Sequence, residues 1–379
     1  MSGKWWTVAV VAAFLIFATA VFGSSRFHAR AATPVSQPVA QAAPDPAPPP
    51  TPQPAPTSLV PYDGPVEHIF FHPLVVYPDR AFKGNMAKGY NDWFVTVKEF
   101  DRIVDALYQN DYILVDIRSL YEEKPENGRP VLVKRPLMLP AHKKPLVLSI
   151  DDMNYYDYMR QHGNVYRLIL DEQGNVATES VNDNGERVVA YDNEIVPLLD
   201  GFVRAHPDFA LDGARGVIAL TGYEGILGYR TNNPDSPAYA REKQEAVRVV
   251  QRLKETGWSF ASHGWGHLDA AKIKYETFVR DTQRWKAEVE PLVGPTPVYI
   301  YPFGSQVFPS DPKFQYLLDQ GFRVLCAIGG QPYLQVAPAY IRMDRRHIDG
   351  ISLHSQRKLL LNLFDADQVI DLAVRGREY

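Results

Sequence analysis

The chain has 379 residues, 45% hydrophobic and 22% charged, which is ordinary globular usage and enough to bury a sizeable core. Its formal net charge of −4 leaves no basic footprint, which argues against nucleic acid as a partner. The one cysteine, Cys326, excludes an intrachain disulfide; inside an apolar run it reads as a buried small hydrophobe rather than a nucleophile.

Residues 5–22 carry no charge, follow Lys4 and precede Ser24-Ser25-Arg26. The stretch is at the short end of membrane-spanning length and longer than a usual signal-peptide core. Residues 1–30 are therefore expected to form an uncleaved anchor with its N-terminus inside, with cleavage near Ala18 or Ala20 and secretion as the alternative. Residues 31–61 are rich in Pro, Ala, Thr and Gln and cannot build a core. As extended polyproline, at about 3.1 Å per residue, they reach on the order of 90 Å. An anchor and a stiff spacer predict an extracytoplasmic domain, held to the membrane at its N-terminal end and lying within a cell wall.

One domain is expected over 62–379. Residues 66–72 alternate as a strand ending at His72-Pro73. Thr96 caps a helix over 97–110, with Phe100, Ile103, Val104 and Leu107 at helical spacing. Residues 112–116 read as a buried strand, and a second apolar run, Pro145-Leu146-Val147-Leu148, leads into Ser149-Ile150-Asp151-Asp152. Over 161–192 the pattern changes to short strands at 165–170, 176–181 and 187–191, separated by turn-rich segments. This predicts a small antiparallel insertion, either a flap or a wall of a substrate groove. Helices follow over 193–204, 238–256, 275–289 and 313–320, alternating with strands over 216–220, 258–262, 297–301 and 322–328. The alternation predicts an α/β fold with largely parallel strands.

Three polar signatures sit at equivalent places in that alternation. Asp151-Asp152, His263-Gly264-Trp265-Gly266-His267 and Pro302-Phe303-Gly304 each follow a strand. The carboxyl ends of parallel strands share one face, so the three should meet in space. Adjacent acids after an apolar strand call for a cation or a proton, unless they simply cap a helix. The two histidines are either polar residues of a glycine turn or metal ligands. With Asp152 they would form a His, His, Asp shell with open positions, as in catalytic zinc sites, and Asp151 would accept a proton from the metal-bound water.

These residues resemble the polysaccharide deacetylases of carbohydrate esterase family four, and most of all a Gram-positive subgroup with an insertion after the first motif. The resemblance spans roughly 66–345. It implies a distorted (β/α) barrel with a small antiparallel β insertion, and a metal-dependent hydrolase that removes N-acetyl, or sometimes O-acetyl, groups from a glycan. It also implies a divalent ion: zinc, with cobalt, nickel or manganese as alternatives. The partner would be an acetylated polysaccharide, such as peptidoglycan or another N-acetylglucosamine polymer. By the same resemblance Asp151 is the base, and Asp152, His263 and His267 hold the metal. Tyr301, Pro302 and Phe303 form a groove wall, with a backbone N–H near the developing oxyanion. Trp265 and His72 join the substrate-binding set.

The sequence departs from the family pattern at several points. Met153 stands where the family has Gly, and Gly264 where it has a hydroxyl residue. No arginine precedes Tyr301-Pro302-Phe303-Gly304, so Arg342 either replaces it from another strand, joining the substrate-binding set, or is only a surface ion-pair residue. Ile351-Ser352-Leu353-His354 is similar to the family's late motif, which makes His354 the expected general acid, with His72 next and His347 behind. Two other readings stay open: a non-catalytic glycan-binding descendant, and an amidohydrolase acting on another amide.

Overall fold

In the computed structural model, which describes residues 58–375, the longest apolar runs become the strands of a closed barrel. The strands are β1 (Glu67–Phe71), β2 (Lys144–Asp151), β3 (Val217–Leu220), β4 (Ser259–Ser262), β5 (Val298–Ile300), β6 (Val324–Ile328) and β7 (Ile341–His347). Each pairs in parallel with the next, and β7 returns to β1, so the order round the barrel is the order along the chain. The parallel α/β architecture is the one expected from the alternation, and its closure into a barrel is what the resemblance implies.

Parallel strands covered on both faces need apolar side chains on both. In β2, Leu146, Leu148 and Ile150 pack outward against the helices. Val147 faces the interior with Val217, Ala219, Ala261, Val298, Ile300, Val324, Cys326, Ile341 and Met343. Burial there pushes the Cys326 thiol up to about 12, as befits an inert core residue. The helical layer includes α1 (Val97–Gln109), α2 (Ile195–Ala205), α3 (Tyr239–Glu255), α4 (Tyr275–Glu288) and α5 (Pro312–Asp319). At the start of α1, the Thr96 hydroxyl accepts from Glu99 N at 3.2 Å and the Glu99 carboxylate accepts from Thr96 N at 2.8 Å, a reciprocal cap.

The insertion is a three-stranded antiparallel meander of Arg167–Leu170, Val176–Val181 and Arg187–Ala190. Glu179 on its middle strand pairs with Arg167 and Arg187 on the two flanking strands. Its first strand lies against α3. At the opposite end of the barrel from the strands' carboxyl ends, Ile113, Val115, Leu120, Leu132, Leu137 and Leu139 close the interior. Part of this plug is a hairpin, Tyr121–Glu126 with Arg129–Lys134, turning at Asn127-Gly128.

One boundary shifts. Leu59–Tyr62 pairs antiparallel with Leu137–Pro140, so residues 59–61, assigned by composition to the spacer, belong to the folded domain. Pro61 suits an edge strand, which can do without one donor. The anchor segment and most of the spacer lie outside the described residues. Among the described residues no helix is long and apolar enough to cross a membrane.

Candidate metal centre

Successive residues of a strand point to opposite faces, so two adjacent acids on β2 should diverge. They do not, because the strand ends between them. Asp151 keeps the strand conformation and faces the interior, whereas Asp152 turns left-handed with φ 59°. The Asp152 amide is held by Ala219 O at 3.2 Å. Both carboxylates thereby reach the two histidines: Asp151 Oδ2 lies 3.8 Å from His263 Nε2, and Asp152 Oδ2 lies 3.6 Å from His267 Nε2. Neither acid caps a helix, since the next one begins at Asp157.

The histidine loop is pinned from behind. His263 N donates to Leu220 O at 3.0 Å, continuing the barrel ladder. Asp281 of α4 accepts from Trp265 N at 2.8 Å and Gly266 N at 2.7 Å. Gly264 has φ 66°, and a Cβ there would come within 2.9 Å of the Asp281 carboxylate. That accounts for glycine at this position.

Asp152, His263 and His267 each offer one ligand atom, and these atoms all lie within 4.8 Å of one another. The donor set fits a divalent cation. His263 Nδ1 donates to Ile300 O at 2.8 Å, which fixes the tautomer and leaves Nε2 with its lone pair toward the site. Burial pushes His267 down to about 4, so it is neutral at physiological pH, as a ligand must be. Burial alone would raise the Asp152 carboxyl, but His267, His263 and His72 nearby hold it below its ordinary value.

Asp151 is gripped by Arg345, which donates from Nη1 to Oδ1 at 2.8 Å and from Nη2 to Oδ2 at 2.9 Å. Burial works against ionisation of Asp151, but Arg345 and then His263 outweigh it and hold the carboxyl down at about 2. Arg345 also reaches Ser149 Oγ at 3.1 Å, and its guanidinium lies 4.1 Å from the centroid of the Phe70 ring. This corrects the expectation for Arg342. On β7 the odd positions Ile341, Met343 and Arg345 face the interior, so Arg342 points out of the barrel. It donates to Gln306 Oε1 at 2.7 Å, and its guanidinium lies 5.0 Å from the Phe308 ring.

The histidines considered for the acid step separate in the same way. His72 donates from Nδ1 to Trp93 O at 3.1 Å, beside Phe70 and Phe94 at 5.9 and 5.7 Å. It is close enough to act electrostatically on Asp151, Asp152 and His267. His347 is engaged at both ring nitrogens, by Asp349 at 2.7 Å and Gln356 at 3.0 Å. His354 is exposed on the short helix Gly350–Ser355, with Nδ1 3.3 Å from Ser355 Oγ.

The aromatic residues also divide. Phe303 is 60% exposed, and its ring sits 4.4 Å from that of His267. Pro302 is buried beside it, and the Tyr301 side chain turns into the helical core. Trp265 is wedged against Gly222, where a Cβ would come within 2.1 Å of the indole. The Arg284 guanidinium lies 3.3 Å from the indole centroid, and Nε1 donates to Glu288 at 2.7 Å.

Residues 236–325, which include His263, His267 and Tyr301 to Gly304, match the family model described as "Polysaccharide deacetylase". No curated protein matches the sequence. Among solved structures the chain is similar to the deacetylase PplD of Streptococcus pyogenes in complex with acetate (TM-score 0.44, 14% identity, 80% of this chain and 99% of that one). It is also similar to the polysaccharide deacetylase BC0361 of Bacillus cereus (TM-score 0.39, 14% identity, 75% of this chain and 65% of that one).

Proposed function

We propose that this chain, which matches the polysaccharide deacetylase family model over residues 236–325, is a metal-dependent hydrolase that removes N-acetyl groups from a polysaccharide. One observation carries the proposal: Asp152, His263 and His267 converge at one point, with Asp151 held beside them by Arg345. Two imidazoles and one carboxylate suit zinc. When bound, the metal supplies the Lewis acidity that polarises the acetamide carbonyl and makes water a nucleophile near neutral pH.

The chain's own groups divide the proton work. Asp151 is ionised at physiological pH and accepts the proton of the attacking water. Arg345 fixes the plane of that carboxylate through two hydrogen bonds, so the accepting lone pair points one way. His72, with Nδ1 tied to Trp93 O and close enough to act electrostatically on Asp151 and Asp152, donates from Nε2 to the leaving amine in this reading. We assign the acid step to His72 over His354 on this placement. Phe303 offers an exposed face beside His267 on which a sugar ring can stack.

A polymer substrate such as peptidoglycan fits an anchor and spacer over residues 1–58, which would hold the barrel outside the membrane. The test is acetate release by the purified chain from N-acetylglucosamine oligomers and peptidoglycan, after chelation and after zinc is restored. Release that needs zinc is the expected result. Release that survives chelation would end the metal-centre reading.

A further inference from the structure

We propose that Tyr156 is a positioning residue for the ligand Asp152, and that Thr221 acts through it. The inference rests on the metal-centre reading above and goes beyond it, naming what fixes the carboxylate.

An ionised carboxylate only accepts hydrogen bonds, so the Tyr156 hydroxyl, 2.7 Å from Asp152 Oδ1, donates its single proton there. The same hydroxyl lies 2.7 Å from Thr221 Oγ1. With its proton committed, the tyrosine oxygen accepts from Thr221. The direction of the chain is thus set: Thr221 to Tyr156 to Asp152. All three groups are buried, where an unpaired polar atom is costly and a satisfied chain is rigid.

The tyrosine cannot swing away. Its ring stacks on Tyr223 with centroids 4.5 Å apart and planes within 9°. Thr221 directly follows β3, and the next two amides, Gly222 N and Tyr223 N, both donate to Trp265 O at 2.9 and 3.0 Å. The hydroxyl chain is therefore tied to the loop that carries His263 and His267.

The consequence falls on Asp152. One of its oxygens is taken by Tyr156, and the other faces His267 Nε2 at 3.6 Å. Asp152 then turns that second oxygen to a metal, and as a one-oxygen ligand it leaves coordination positions open for water and substrate. Released from Tyr156, the carboxylate is free to rotate.

The test is zinc affinity, measured without substrate by competition with a chromogenic chelator. Tyr156→Phe should weaken zinc binding by about tenfold or more, the usual effect of removing a partner of a metal ligand. Thr221→Val should weaken it less, Thr221→Ser should restore it, and the double variant Tyr156→Phe/Thr221→Val should match Tyr156→Phe alone. Wild-type zinc affinity in Tyr156→Phe, or full additivity in the double variant, would overturn the proposal. Should Tyr156→Phe fail to fold, the threonine pair decides: equal affinity in Thr221→Val and Thr221→Ser would overturn it. A wild-type chain that takes up no zinc would instead remove the metal centre itself.

Discussion

Arg345 and Asp151 meet through two parallel hydrogen bonds of 2.8 and 2.9 Å, from β7 and β2, which are separated in the barrel only by β1, and with the guanidinium wholly buried. A fork of this kind fixes orientation as well as charge. Arg345→Lys keeps the charge but not the fork. It should bind zinc like the wild type and lose about ten- to a hundredfold in kcat, because a small misplacement of a reacting group is costly. Zinc content and steady-state acetate release on the same preparation check both halves. Unchanged kcat would show that the fork does not aim the base.

The two candidate acids give opposite expectations. His72→Ala should lower kcat by about 10²–10⁴-fold, the usual worth of general acid–base catalysis, and remove one limb of the pH–rate profile. His354→Ala should leave kcat within about twofold of wild type, since its side chain is exposed on a short helix. The reverse pattern would return the acid step to His354.

A buried carboxyl away from the metal ligands makes stability depend on pH. Burial pushes Glu194 up to about 7 from an ordinary value of 4.5, against hydrogen bonds from Ile195 N and Leu74 N to one of its oxygens. In that interval the folded chain binds more protons than the unfolded one, so this group's contribution falls as pH rises and levels off above the folded value. The total is roughly 3 kcal/mol at 1.36 kcal/mol per pH unit. Glu194→Gln removes the slope. Its stability relative to wild type, from urea unfolding at about pH 5 and about pH 8, should rise at the higher pH. A difference that stays flat between the two would contradict the shift.

The far end of the chain supports the same wall of the site. Arg375 and Glu99 form an ion pair at 2.7 Å with no exposure on either side. Arg375 also donates to Asn91 O at 3.0 Å and Phe94 O at 2.8 Å, on either side of the Trp93 carbonyl that holds His72. Arg375→Met leaves a buried carboxylate without its partner and should cost about 3–5 kcal/mol in thermal or urea unfolding. A loss under about 1 kcal/mol, the range of surface pairs, would contradict the burial of this pair.

Much of the site was legible because its parts are contiguous motifs at strand ends. Asp151-Asp152 and the histidine pair each sit in a short segment, and parallel topology alone brings their strands' carboxyl ends together. Arg345 was harder, since its partner is 194 residues away in the chain, on a strand separated from β7 only by β1, and only strand parity with Ile341 and Met343 separates it from Arg342. That signal is in the sequence and points to Arg345 once β7 is known to face inward at odd positions. His354 and, next, His72 were both named from sequence; the pairing of β1 with β2, a contact between distant segments, brings the end of β1 before His72 beside the acid pair's strand. The hairpin at Asn127-Gly128 was absent from the expected elements, although its Asn-Gly turn signal was readable from sequence alone. The strand at Leu59–Tyr62 was not, because its partner, Leu137–Pro140, is far along the chain.

The most direct test of the account compares wild type and Asp151→Asn, both zinc-loaded, on an N-acetylglucosamine oligomer, with bound zinc and released acetate measured in the same samples. Wild type should release acetate, and Asp151→Asn should keep its zinc while losing about 10³-fold or more of its turnover. Full turnover in Asp151→Asn, or no acetate from zinc-loaded wild type on any N-acetylated glycan, would contradict it.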